Sequence, residues 1–176
     1  TDKMETGFTR IFRGALNALN WLNKNTLNGS KRNIKAHYDL GNQLFETFLD
    51  PTLMYSSALF TSKDQDLHHA SIEKLDHICR KLHLQSSDHV LEIGTGWGGF
   101  ALHAAEHYGC KVTTTTISEE QHQHANVIVK KRGLSDRITV LKEDYRDLTG
   151  QYDKLVSIEM IEAVGHQYLD TYIKTL

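Results

Sequence analysis

The chain has 176 residues, 39% hydrophobic and 24% charged, with a single proline. That is enough for a globular domain with its own core, and it excludes a disordered or collagen-like chain. Net charge is -2, but residues 1–35 hold Lys3, Arg10, Arg13, Lys24, Lys31, Arg32 and Lys35 against Asp2 and Glu5, so a basic segment (+5) precedes an acidic body (-7) and points to anionic surfaces.

Residues 1–85 read as a helical arm and cap. Phe8, Ile11, Phe12, Ala15, Leu16, Leu19 and Leu22 share one helical face, and Asn28-Gly29-Ser30 breaks it. A second helix is expected over about 36–49, stopped by Asp50-Pro51, and a third from about Asp66 to Leu84. No apolar run approaches the roughly 18 residues of a membrane span, and no charged-then-apolar signal-peptide pattern is read. Cys79 and Cys110 form neither a C-x-x-C motif nor a disulfide framework, which fits a reducing cytosol. The 11 histidines are scattered, carry no metal-ligand spacing and read as mostly surface residues.

From residue 86 the period changes to that of an α/β domain. His89–Ile93 predicts a strand, about Trp97 to Tyr108 a helix, and Lys111 to Thr116 a Val/Thr-rich strand. Ser118 with Gln121 reads as an S-x-x-Q capping box opening another helix. Arg137–Leu141 and Lys154–Ile158 predict two further strands, with a helix after Gly165. The pattern implies a parallel sheet wrapped by helices. Four strands leave that sheet incomplete, so more strands are expected beyond Leu176.

Glu92-Ile93-Gly94-Thr95-Gly96-Trp97-Gly98-Gly99 joins the first strand to its helix. Its G-x-G-x-G spacing differs from the dinucleotide fingerprint, and its glycines allow a sharp turn against a ligand. It looks like motif I of class I methyltransferases, where Gly94 and Gly96 would lie beneath the amino-acid end of S-adenosylmethionine. The acid expected near the second strand's end for a ribose is replaced by Thr115-Thr116-Ile117-Ser118. After the third strand, Asp144 could accept from an adenine amino group and Tyr145 could cover the ring. Solvated loop charge is the other reading of those two residues.

Five segments in order complete the resemblance: His37–Asn42, Met54–Ala58, Leu91–Gly99, Thr116–Gln121 and Tyr152–Gly165. Together they resemble the cyclopropane-fatty-acyl-phospholipid synthase family from about residue 33 onward. The resemblance implies a Rossmann-like class I methyltransferase fold and an enzyme that binds S-adenosylmethionine and acts on unsaturated phospholipid acyl chains. The cis double bond would attack the sulfonium methyl, and proton loss from the resulting carbocation would close a cyclopropane ring. It further implies that Tyr55 and Ser56 line the cofactor, that Thr116, Ile117 and Gln121 meet the ribose side, and that Asp144 and Tyr145 meet the adenine. Ile158, Glu162 and Ser57 would hold a bicarbonate base. Many members have cysteine at Ser57 and histidine at Ala163, which opens the product to methyl-branched alternatives. Two other readings stay open: an N-methyltransferase of small amines, and a cofactor- or membrane-binding module without chemistry. The expected setting is cytoplasmic and peripherally membrane-associated, meeting phospholipid at the membrane surface, with no nucleic-acid partner and with room for a homo-oligomer. The 176-residue piece alone is expected to be inactive.

Overall fold

A computed structural model describes Phe45 and residues 47–176. The amphipathic arm before residue 30 and most of the second expected helix lie outside the described residues. The end of that helix is seen at Phe45, Thr47 and Phe48, and Leu49 N donates to Phe45 O at 2.9 Å. Asp50 then turns the chain: its carboxylate accepts from Thr52 N at 3.0 Å and Thr52 Oγ1 at 2.7 Å, with His68 Nδ1 at 2.9 Å.

Helix α1 spans Leu67–Lys81. Asp66 caps it by accepting from His69 N, and Ala70, Ser71, Leu75 and Cys79 form its buried stripe. It stops short of the expected Leu84. His83 adopts a left-handed φ of 51°, while His83 N bonds Arg80 O and Leu84 N bonds Cys79 O. These are the two bonds of a Schellman ending, here closed by histidine in place of glycine.

The sheet follows as β1 (His89–Ile93), β2 (Lys111–Thr115), β3 (Ile138–Leu141) and β4 (Lys154–Val156). All pairs are parallel and the order is β3-β2-β1-β4. Val90 stands opposite Val112 on one side and Lys154 on the other. The chain therefore steps outward from β1 through β2 to β3 and then returns to β1's other edge. The order reverses between β1 and β4, which is where ligands enter open α/β sheets. Alternate β1 side chains feed two cores: Val90 joins Leu75, Phe100, Val112 and Val129, whereas Leu91 and Ile93 join Tyr145, Val164 and Tyr172. Each fully buried side chain of this kind contributes about 1.5–3 kcal/mol.

Helix α2 (Gly99–His103) starts later than expected, since Gly98 at φ 93° still belongs to the turn. It then widens into a π turn over Ala104–Tyr108. Tyr108 OH thereby reaches Asp76 Oδ1 on α1 at 2.6 Å. His103 is the buried exception among the described histidines: it is 5% exposed, neither ring nitrogen makes a hydrogen bond, and Nε2 lies 3.7 Å from Asp76 Oδ1. Burial lowers its pKa, as does the neighbouring His107.

Helix α3 (Glu119–Lys131) is capped by Ser118, whose side chain accepts from Gln121 N. The reciprocal half of the capping box is not made. Ser118 N donates instead to Thr116 Oγ1 at 3.1 Å, and Thr116 Oγ1 donates to Gln121 Oε1 at 2.8 Å. Strand β4 ends at Val156, two residues before the expected Ile158. There Ser157 Oγ donates to the β1 carbonyl of Ile93 at 2.8 Å and accepts from Tyr172 OH at 2.6 Å. Short α4 (Ile161–Val164), a 3-10 turn (His166–Tyr168) and α5 (Leu169–Thr175) finish the described chain. The architecture is a parallel α/β sheet of four strands with helices packed on it, the Rossmann-like arrangement expected from the sequence.

Candidate cofactor and acceptor site

The turn after β1 is anchored to β2 by its own backbone. Gly94 N and Thr95 N both donate to Thr115 O, at 3.1 and 3.0 Å, and Thr114 Oγ1 donates to Thr95 Oγ1 at 2.8 Å. Gly96 sits at φ 53°, and a Cβ added there would meet no protein atom within 4 Å. Its backbone faces open space on the cavity side. Gly99 is needed for the opposite reason, since a Cβ would come within 2.8 Å of Thr52 O and 2.7 Å of Met54 Sδ. The 52–54 segment thus lies directly against the start of α2.

Glu92 lies under this turn and is 3% exposed. Burial pushes its carboxyl up to about 8, against a smaller downward pull from the Thr114 hydroxyl, and Oε2 has no hydrogen-bond partner. A buried acid that borders a cavity without a full set of partners suits a cationic ligand. Its place before the first glycine is visible in the sequence, but its burial is not.

On the next strand tip, Thr116 and Gln121 are both buried and bonded to each other. Gln121 Oε1 is taken by Thr116, so its amide nitrogen is the group left to donate. After β3, Asp144 caps the 3-10 turn Tyr145–Asp147. Its Oδ1 accepts from Arg146 N and Nε at 3.0 and 2.8 Å, and Oδ2 accepts from Arg146 Nη2 at 2.6 Å. Arg146 in turn sits over the rings of Tyr145 and Tyr168, at 5.6 and 5.1 Å from their centroids. Tyr145 is buried edge-on against Tyr172. This guanidinium was not singled out in the sequence, where it reads as loop charge.

At the end of β4 the chain bends sharply. Glu159 holds a left-handed φ of 47°, a conformation that costs a non-glycine residue about 1–2 kcal/mol. Its Oε1 accepts from Lys74 Nζ at 3.0 Å and from Ser57 Oγ at 3.2 Å. Lys74 Nζ also donates to Ser56 Oγ at 2.6 Å. Burial alone would raise the Glu159 pKa, but these hydrogen bonds and the ammonium charge bring it below the ordinary value. Glu162 is exposed on the first turn of α4. Tyr55 packs edge-on against Phe45 and Trp97.

These groups surround one cavity of about 560 Å³, a volume typical of small-molecule sites. Tyr55, Ser56, Gly94, Gly96, Thr116, Ile117, Gln121, Asp144, Tyr145, Ile158 and Glu162 all line it. Ser57 does not line it; its hydroxyl donates to Glu159. Glu92, Arg146 and Glu159 join the wall without having been expected there.

Comparison with known proteins gives this cavity a context. The family described as mycolic acid cyclopropane synthetase matches residues 25–176. The cyclopropane-fatty-acyl-phospholipid synthase of Escherichia coli K12 is 46% identical over 138 residues, 78% of this chain and 35% of that protein. The tuberculostearic acid methyltransferase UfaA1 of Mycobacterium tuberculosis is 42% identical over 154 residues, 84% of this chain and 36% of that protein. The crystal structure of mycolic acid cyclopropane synthase CmaA1, complexed with S-adenosylhomocysteine (SAH) and CTAB, superposes with a TM-score of 0.79 at 34% identity, covering 82% of this chain and 51% of that one. The chain thus spans about a third of the length of these curated relatives. With most of its length matched and its strand-end cavity in the corresponding fold, the chain belongs to the mycolic acid cyclopropane synthetase family.

Proposed function

We propose that the full-length protein is an S-adenosylmethionine-dependent C-methyltransferase acting on the cis double bond of unsaturated phospholipid acyl chains and closing a cyclopropane ring. The observation that carries this reading is the single cavity joining the glycine turn, the Thr116–Gln121 pair and the Glu159–Glu162 turn at the strand-order reversal. Bound S-adenosylmethionine supplies an electrophilic sulfonium methyl. The chain's own residues fit it: Glu92 offers an unsatisfied carboxylate oxygen to an ammonium, and Gly96 leaves room for close backbone approach. Gln121 would donate to a ribose hydroxyl, and Tyr145 and Asp144, which line the same cavity, would border the base.

On the other wall, Ile158 and Met160 present apolar surface and Glu162 a carboxylate. An alkene needs a water-poor surface and a nearby proton acceptor that does not trap a carbocation. A small oxyanion such as bicarbonate would meet that need: Glu162 would accept its O–H in a hydrogen bond, and its other oxygens would take the proton lost from the new methyl group as the ring closes, with Ile158 alongside. Ser57 contributes by steadying Glu159. Contact with a membrane surface is part of the reading, supported by the +5 charge of residues 1–35.

The test uses full-length protein, S-adenosylmethionine and vesicles carrying cis-monounsaturated phospholipid. Mass spectrometry should show acyl chains heavier by one CH2, with cyclopropane proton resonances in the extracted lipid. Glu162→Gln should keep SAH binding while turnover falls on the order of 10²-fold. Methyl transfer to small amines with no change in the lipid would overturn the proposal.

A further inference from the structure

Lys74 lies on α1, outside the cavity wall, yet it bonds to both sides of the cavity's open half. Its ammonium, with the side chain 13% exposed, joins Ser56 of the 53–57 segment to Glu159 of the β4–α4 turn. Those two segments are about a hundred residues apart, and Ser57 also reaches Glu159, its Oγ donating to Oε1 at 3.2 Å. Glu159 pays for a left-handed backbone in a position where glycine would be free of strain. Strain of that kind persists only where surrounding contacts hold it, and the contacts here are Lys74 and Ser57.

We propose that Lys74 is a positioning residue: its ammonium clasps Ser56 and Glu159 together and so sets the distance between the Tyr55–Ser56 wall and the Ile158–Glu162 wall. This rests on the proposed function, since the two walls are those assigned to cofactor and acceptor. The ammonium has been drawn out of water against one carboxylate and one hydroxyl, so its loss leaves Glu159 with a like-for-like vacancy that water fills less firmly. The turn is then free to relax, carrying Ile158 and Glu162 away from the 55–56 wall.

The test is SAH affinity by calorimetry on full-length protein, with melting temperature read on the same samples. Lys74→Met and Glu159→Gln should each weaken SAH about tenfold or more. Lys74→Arg should recover most of the loss, and the Lys74→Met/Glu159→Gln pair should be no worse than Lys74→Met alone. Glu159→Gly relieves the backbone strain while removing the carboxylate, so it should melt close to wild type and still bind weakly. Should Lys74→Met fail to fold, Glu159→Gln decides alone, since that side chain is 45% exposed. SAH affinity equal to wild type in Glu159→Gln overturns the clasp, as does a loss seen only in variants that melt early. A wild-type protein that binds no SAH overturns the proposed function and the clasp with it.

Discussion

At the ends of β1 and β2, Thr114 reaches Thr95 and Thr116 reaches Gln121, all buried and drawn from β2, the start of α3 and the turns beside them. At the end of β4, Glu159 is instead steadied by Lys74 and Ser57 from a remote part of the chain, with its side chain 45% exposed. The first rim is shaped by short neutral hydrogen bonds shielded from water. The second is held by charge across segments that come together only in the finished fold. A ligand of fixed shape suits a rim built in advance, whereas the second wall depends on a few charged contacts that single substitutions can loosen.

The largest expected effect tests how closed the first rim is. Glu92 has a folded-state pKa of about 8, above its ordinary 4.5. Between those values the folded state holds a proton that the unfolded state lacks, so stability should be greatest below about pH 4.5 from this group and decline toward pH 8. Glu92→Gln should remove that decline and stabilise the protein at pH 8 by on the order of a few kcal/mol in urea unfolding. A cationic ligand should pull the same proton off, so calorimetry near pH 7 in buffers of different ionisation enthalpy should show proton release on binding S-adenosylmethionine.

Gly99→Ala should rank next. Its Cβ would strike the Thr52 carbonyl, and overpacking against backbone costs about 1–3 kcal/mol. Gly96→Ala makes no such contact, so its cost should be nearer the 1–2 kcal/mol of a left-handed Cβ, with the main loss in SAH affinity. If Gly96→Ala proves as destabilising as Gly99→Ala, the turn is packed rather than open. Ser118→Ala should cost about 1 kcal/mol as a lost helix cap, visible as a small drop in denaturation midpoint. The smallest effect belongs to the surface: breaking the exposed Lys142–Glu119 ion pair with Lys142→Met should change stability by less than about 1 kcal/mol.

The same division governs what could be read from the sequence. The strands, their parallel order and the residues of the first rim follow from local signals: apolar runs, glycine spacing and Ser118 before a helix. Boundaries moved where a tertiary bond intervened, as at Ser157, whose hydroxyl takes the Ile93 carbonyl and ends β4 early. Local spacing gave no sign of Lys74, Arg146 or Glu159, because each looks like an ordinary solvated charge until a distant segment arrives. Glu92 is the intermediate case: its place beside the glycines was visible, but its burial depended on strands on both sides. Resemblance gives Ser57 a different partner, and the fold turns it toward Glu159, one residue past the expected end of β4.

The π turn at Ala104–Tyr108 carries one more residue than an α-helical turn of the same rise would need. That surplus rotates Tyr108 to Asp76 and leaves the glycine turn, upstream on the same helix, in its own register. The segment is therefore a place where the chain can take up a change in length without disturbing the pocket. Removing a single residue there should restore regular helix, sever Tyr108 from Asp76 and loosen α1, while the register between β1 and β2 survives.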